Sequence, residues 1–564
     1  MGWFKKLFFL YIGLVVIKII LVSTVSAPSN FADGYIYAKM ARSFFYAQTF
    51  LVHDELNYLY PPLYSIILSL SYIFKDMNIV YFSMKVINSL ISSLIIIPAW
   101  LLGKEFLSER RAFLFTILAS VIPSSFSTTV YIMSENLFYV LFLFLIYFLY
   151  KSFTDDGYKF DVLAGFFLSL LLITRTISIF LIPVILLVSV VSLFRKQHFQ
   201  IKKKLVLLLT LLVSLLPFIS SIYQLLISEV SSRVNTMSSP GAETISNLKE
   251  GFMISLFTWP VLYLGFLTLG IGILFFILAA FNFRDSKDEN FLYFKLISIF
   301  SLIFIILFAT GNAISSIVKY ESLMPSLLGR PIGRYVDGIL PLILLNGFIG
   351  LNILKNKRIS LKFVLPFSFL LAASAILVSF PLFPFNNVSL TFVGLLKYIF
   401  EYLVYNQKTF DTIYHFGSVL FFAIVFFLIP ISFTFFKLNT KKIFYIFFTF
   451  FMLINLSVFA VENVNSDIWY NSDQMQLGLW VNEYDRDKVS KILFDEDYLG
   501  KATKTEQDEF LGGRAYTIAG FWMNDNIKYG NISNLEDYDF IVTKKDMGLP
   551  LLIEKGKWKF YSTN

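Results

Sequence analysis

Phe31-Ala32-Asp33-Gly34-Tyr35-Ile36-Tyr37-Ala38-Lys39-Met40-Ala41-Arg42 is a polar window in an otherwise oily sequence, just after the first apolar segment. A carboxylate at a membrane boundary is costly unless it is solvated or used. Asp33 precedes a predicted amphipathic helix, roughly 34–48. It can cap that helix, or it can serve as a general base toward an acceptor hydroxyl or amine. Glu135, in Ser134-Glu135-Asn136, interrupts the apolar stretches Phe113–Val121 and Leu137–Phe148. It offers a second cap or a second carboxylate. Asp33 and Glu135 could divide base and orienting roles, or together hold a metal. Arg175, in Thr174-Arg175-Thr176, lies within the apolar run Leu168–Leu181. Arg330 and Arg334 lie in Gly329-Arg330-Pro331-Ile332-Gly333-Arg334-Tyr335, directly before another apolar segment. Arginine offers a planar fork that matches phosphate oxygens. The plainer alternative for each is an arginine that snorkels to the interface. Lys319, Arg233 and Lys39 are secondary candidates.

These residues need elements to hold them, and the composition says which kind. The 564 residues are 57% hydrophobic and only 15% charged, against roughly 25% charged in soluble domains. Most of the chain therefore cannot face water. Many apolar runs reach the ~17–25 residues a spanning helix needs. Cysteine is absent and only three histidines occur, which excludes disulfides and thiolate chemistry and leaves little room for a multi-histidine metal site. The net charge of +9 reads as basic cytoplasmic loops rather than as nucleic-acid binding.

Those loops set the topology. Lys104 with Arg110-Arg111, Lys151–Lys159, Arg195–Lys204, Arg284–Lys287, Lys355–Lys362 and Lys437–Lys442 are placed in the cytoplasm. The expected spans are then 7–26, 79–103, 112–132, 136–151, 161–174, 177–194, 205–227, 256–281, 291–310, 336–354, 361–379, 413–436 and 443–461. This gives about thirteen helices, N-terminus inside and C-terminus outside, in a plasma membrane. The first is read as an anchored span rather than a cleaved signal peptide. Residues 61–74 are too short to span comfortably and read as an interfacial or half-inserted helix starting at Pro61-Pro62. Tyr37, Ala41 and Phe45 share one face of the 34–48 helix, with Lys39 and Arg42 on a polar side. That helix is expected to lie in the headgroup plane. Loop 228–255 reads as a lid.

Residues 466–564 change character, with many Asp, Glu, Lys and Asn and short apolar runs at Val489–Phe494, Ala515–Ile518 and Phe540–Val542. The expected organisation is a membrane domain, 1–465, and a small extracytoplasmic α/β domain, 466–564. Asp495-Glu496-Asp497 reads as an exposed loop rather than a metal site. Asn531-Ile532-Ser533 fits a glycosylation sequon, a triplet frequent by chance. Gly-rich phosphate loops, HExxH and GxSxG are absent.

The pattern resembles the GT-C superfamily of integral-membrane glycosyltransferases, nearest to the branch of protein O-mannosyltransferases and the lipid A aminoarabinose transferase. The matching residues are Asp33, Tyr37, Ala38, Ala41 and Arg42, then Pro61-Pro62-Leu63-Tyr64, Glu135, and Arg334-Tyr335 before Leu340-Pro341. Two departures stand out. Relatives carry Asp-Glu where this chain has Asp33-Gly34, and Lys before Pro-Pro where it has Tyr60. That lysine helps hold the donor phosphate in relatives, so here another cation substitutes or the donor differs.

The resemblance implies a fold with a membrane-embedded site and an inverting sugar transfer from a polyprenyl-phosphate donor, on the extracytoplasmic side, to a protein, lipid or glycan acceptor. Asp33 would be the base, with Glu135 beside it. Arg330, Arg334 and Arg175 would hold the donor phosphate. Tyr37, Arg42, Tyr60, Tyr64 and Tyr335 would line the substrate. No cofactor is required, and a divalent metal (Mg or Mn) is compatible with such a site. Membrane lipid is the other partner, and nucleic acid is not one. The alternatives are a flippase or transporter for a polyprenyl-linked glycan, which should carry charges deep along a path, and a non-catalytic scaffold.

Overall fold

The computed structural model describes residues 2–28, 32–52, 55–56, 60–195, 199–219, 242–285, 289–320, 332–354, 361–379, 390–391, 394, 440–485, 490–495, 515–530, 532 and 535–563. Its helices before the C-terminal domain are α1 (Trp3–Ser23), α2 (Ala32–Ala47), α3 (Leu63–Leu68), α4 (Met77–Ser93), α5 (Ile96–Phe106), α6 (Glu109–Val121), α7 (Pro123–Phe126), α8 (Glu135–Thr154), α9 (Lys159–Leu172), α10 (Leu181–Phe194), α11 (Phe199–Leu215), α12 (Ala242–Ile271), α13 (Ile273–Asp285), α14 (Glu289–Tyr320), α15 (Leu340–Leu354), α16 (Leu361–Ser379) and α17 (Thr440–Tyr470).

Among the described residues, six stretches are long and apolar enough to cross a bilayer, or up to eight if each of two bent pairs counts as one span. The chain is thus a multi-pass membrane protein, and the described residues account for part of the expected thirteen spans. The expected span 256–281 breaks at Gly272, whose φ of +84° is open to glycine, and the two halves diverge by 107°. The expected span 112–132 bends by 66° where Ile122 turns extended before Pro123. Segments 336–354 and 361–379 form shorter apolar helices, Asp337–Leu351 and Leu365–Val378. The expected span 413–436 lies outside the described residues. So does the first part of the expected lid, whereas its last part, from Ala242, is the start of α12. Residues 63–73 form a short helix and a 3₁₀ turn with Pro62 as the cap, as proline at a helix start leads one to expect.

By packing, the chain divides into two compact units. The first comprises residues 1–14, 91–128 and 135–458. Its helices approach closely at small residues, the usual device where helix faces are all apolar. A Cβ on Gly350 of α15 would stand 1.9 Å from the Leu278 carbonyl of α13, and one on Gly265 of α12 would stand 2.1 Å from the Ser374 carbonyl of α16. Buried Asn346 ties α13, α14 and α15 together. It accepts from Asn282 at 2.8 Å and donates to Ser298 at 3.2 Å.

The second unit comprises residues 15–90, 129–134 and 459–564. It contains a small hairpin, β1 (Leu51–Val52) with β2 (Glu55–Leu56), and a C-terminal α/β domain. That domain holds α18 (Asp473–Tyr484), β3 (Lys491–Asp495), α19 (Ala515–Trp522), β4 (Asn526–Gly530), β5 (Phe540–Thr543), β6 (Leu551–Lys555) and β7 (Trp558–Ser562). The sheet order is β4-β3-β5-β7-β6. β3 runs parallel to both β4 and β5, and β7 is antiparallel to β5 and β6. Helices α18 and α19, with Met523 just after α19, bury Leu477, Val481, Ala519 and Met523 against Ile492, Phe494 and Phe560 of the sheet. Asp495 is buried and accepts from Thr543 at 2.6 Å, so it is a structural residue. Glu496, Asp497, Asn531 and Ser533 lie outside the described residues.

Gly350→Val should overpack the α13–α15 contact and lower stability by about 1–3 kcal/mol, read as a reduced melting temperature of the detergent-solubilised protein.

Candidate active site

Two groups of polar residues stand out, one in each unit. The first is built around α2. The helix begins at Ala32, so Asp33 lies in its first turn, where a carboxylate interacts favourably with the helix dipole. Asp33 is half-buried, and the Tyr60 hydroxyl donates to its Oδ1 at 2.7 Å. Tyr60 is placed by the Pro61-Pro62 start of α3. The Tyr37 ring stands edge-on to Tyr60 and Tyr64, with centroids 5.2 and 5.0 Å away, an arrangement aromatic quadrupoles favour. The Tyr37 hydroxyl donates to Ser134 Oγ at 2.9 Å, and Glu135 is the next residue in the chain.

Behind these rings runs a buried line of hydrogen bonds. Tyr64 donates to Asn88 Oδ1 at 2.9 Å, Asn88 Nδ2 donates to the Tyr131 carbonyl at 3.0 Å, and the Tyr131 hydroxyl donates to Glu462 Oε1 at 2.8 Å. Ser65 donates to the Tyr37 carbonyl and Tyr72 to the Ala38 carbonyl, fastening the backbone of α2. Lys85 of α4 donates to the Val22 and Val25 carbonyls at the end of α1, where a cation satisfies the last carbonyls of a helix.

The polar side of α2 does not face solvent. Lys39 is buried and donates to the Met523 carbonyl, and Arg42 Nε donates to Asn524, reaching Oδ1 at 3.0 Å. The polar side of α2 is covered by the C-terminal domain. Gly34 backs onto residue 132, and a Cβ there would touch the Ile132 carbonyl at 3.4 Å.

The second group is carried by three short breaks in helices. Glu135 opens α8. Arg175 sits in extended backbone (φ −152°, ψ 134°) between α9 and the 3₁₀ turn Thr176–Phe180. Arg334 and Tyr335 form a 3₁₀ turn before α15. Arg175 Nη1 meets Glu135 Oε1 at 2.9 Å and Arg334 Nε lies 3.8 Å from the same oxygen. Glu135 is only 2% exposed. The guanidinium of Arg175 lies 5.4 Å over the Phe138 ring, and that of Arg334 lies 5.8 Å over Tyr335, within cation–π range. Gly333 makes the turn possible, since a Cβ there would coincide with the Phe266 ring.

The sequence reading missed two members. Buried Asp337 is coupled electrostatically to Glu135 and Arg175. Buried Tyr139 is coupled to Asp337, Glu135 and both arginines. Tyr139 follows Glu135 by four residues and Asp337 follows Arg334 by three, which is the spacing of neighbours on a helical face. Arg330 lies outside the described residues.

Glu135 is closed on guanidinium groups, a poor starting point for a metal ligand, and no group of three or more His, Cys, Asp or Glu side chains among the described residues could hold a metal ion.

Against this geometry, the family model for dolichyl-phosphate-mannose-protein mannosyltransferase matches residues 60–223. The crystal structure of ArnT from Cupriavidus metallidurans in the apo state is similar with a TM-score of 0.56 at 10% identity, covering 100% of this chain and 98% of that one. ArnT from the same organism bound to undecaprenyl phosphate gives 0.55 at 10% identity, covering 98% of this chain and 97% of that one. No curated protein matches in sequence. The fold is that of the GT-C membrane glycosyltransferases, and the resemblance drawn from the sequence is borne out.

Glu135→Ala strands Arg175 without its buried counter-charge and should cost about 3–5 kcal/mol. Glu135→Gln, which keeps a hydrogen-bond acceptor, should cost less. Thermal unfolding in detergent, side by side, checks the order.

Proposed function

We propose that this chain moves a sugar from a polyprenyl-phosphate donor to an acceptor hydroxyl or amine on the extracytoplasmic side, with inversion. The observation that carries the reading is Asp33. It is half-buried, oriented by the Tyr60 hydroxyl, and set at the start of a helix fastened along its length. A general base needs that kind of fixed position within reach of the proton it takes.

In the proposed step the acceptor oxygen or nitrogen attacks the anomeric carbon from the face opposite the phosphate. The new bond forms as the anomeric C–O(phosphate) bond breaks. The acceptor proton passes to Asp33, and polyprenyl phosphate leaves with the bonding electron pair. Arg175 and Arg334 stabilise the charge that develops on the departing phosphate, the kind of help that is usually the largest single catalytic term. Glu135 keeps Arg175 in place before the donor binds. Tyr37, Tyr64 and Tyr335 shape the sugar and acceptor subsites. The membrane part, expected at 1–465, admits the donor from the lipid, and residues 466–564 form a domain outside the membrane. The acceptor is a protein, lipid or glycan.

Purified protein assayed with radiolabelled polyprenyl-phosphate sugars and cell-envelope acceptors tests this. Asp33→Asn should reduce transfer by roughly 10²–10⁴-fold while the protein still folds. Undiminished transfer in that variant would remove Asp33 from the chemistry. Passage of an intact lipid-linked glycan across liposomes, with no transfer, would replace this reading by a flippase. Arg334→Ala should raise KM for the donor more than KM for the acceptor, measured by varying each in turn.

A further inference from the structure

Tyr35, Lys39 and Arg42 are spaced i, i+4, i+7 on α2 and so lie on one face. All three meet a single short segment that is roughly 480 residues distant in sequence, spanning the end of α19 and the turn after it. The Tyr35 hydroxyl lies 3.0 Å from where a Cβ on Gly520 would sit, so the glycine lets the ring approach. Lys39 donates to the Met523 carbonyl. Arg42 donates to Asn524, through both its carbonyl and its side-chain oxygen. Asn524 is fully buried, and so is Asp525 beside it. Burial pushes the Asp525 carboxyl up to about 7, with neighbouring Asp485 adding to the rise and Lys39 and Arg42 opposing it. The turn therefore presents two main-chain carbonyls, an amide oxygen and a buried carboxyl to two cations that belong to the helix of Asp33.

We propose that the 523–525 turn of the C-terminal domain is a clamp that sets the position of Asp33, and that Lys39, Arg42 and Asn524 are positioning residues acting through α2. Asp33 starts the same helix about 9 Å along its axis from Lys39, at 1.5 Å per residue. A slide or rotation at Lys39 is therefore carried to the carboxylate. Ser65 and Tyr72 fasten the backbone of α2 at the Tyr37 and Ala38 carbonyls, and the clamp adds a constraint through the side chains of Lys39 and Arg42. This assignment takes Arg42 away from direct substrate contact. It rests on the reading of Asp33 as the base.

The test uses full-length protein carrying Asn524→Ala, with Arg42→Lys as a second variant that keeps the charge. Hydrogen–deuterium exchange over residues 32–47 should accelerate in Asn524→Ala and less in Arg42→Lys. In the transfer assay, kcat should fall by up to about 100-fold, as small misplacements of a reacting group do, while KM for donor and acceptor stays within about twofold. Unchanged exchange over 32–47 in both variants would overturn the clamp. A rise in donor KM with kcat intact would also overturn it, returning Arg42 to the substrate. If the wild-type protein transfers no sugar, the proposed function fails, and the exchange result still decides whether the clamp exists.

Discussion

Glu135 holds Arg175 at 2.9 Å with almost no access to solvent, and this ion pair shows the constraint under which the rest of the chain is built. In so apolar a sequence, a charge taken from water has to find an opposite charge or a full set of hydrogen bonds. Arg175 reaches Glu135 because its backbone is extended between two helices. Arg334 reaches it because glycine at 333 allows a tight turn against Phe266. Each helix break in this region thus delivers charged side chains to the group.

The surroundings of Asp33 obey the same constraint with neutral partners. Tyr60 supplies the hydrogen bond to the carboxylate, and Tyr37 packs between Tyr60 and Tyr64. The line from Tyr64 through Asn88 and Tyr131 ends on Glu462 of α17. Tyrosine suits this layer because its ring packs like a hydrophobe while its hydroxyl satisfies a buried acceptor. These links tie the first loop to the last long helix of its unit, so the position of Asp33 depends on residues far from it in the chain.

The two departures from the GT-C pattern become intelligible together. Where the GT-C resemblance leads one to expect a lysine before Pro-Pro, Tyr60 hydrogen-bonds the Asp33 carboxylate instead, so the position orients that carboxylate and offers no charge to a phosphate. Cationic duty then falls, in the proposed mechanism, to Arg175 and Arg334, which Glu135 keeps in place. At the second departure, Gly34 stands against Ile132, with only contact distance left for a Cβ.

Apolar run lengths in the sequence determined that the chain crosses the membrane many times, because bilayer thickness demands such runs. Local signals also placed the start of α3 at the prolines, the polar break at Glu135, and Arg334-Tyr335 directly before an apolar segment. The bends at Gly272 and Pro123 were harder to foresee, since glycine and proline permit a break without requiring one. Tertiary structure alone decided the partners. Lys39 and Arg42 have the spacing of a solvated helix face, and that spacing carries no information about carbonyls at Met523 and Asn524. Asp337 and Tyr139 looked like ordinary residues of apolar helices until packing set them beside Glu135. The physical reason is range: helix periodicity and turn chemistry act over a few residues, whereas the neutralisation of a buried charge depends on which distant segment the completed fold brings to it.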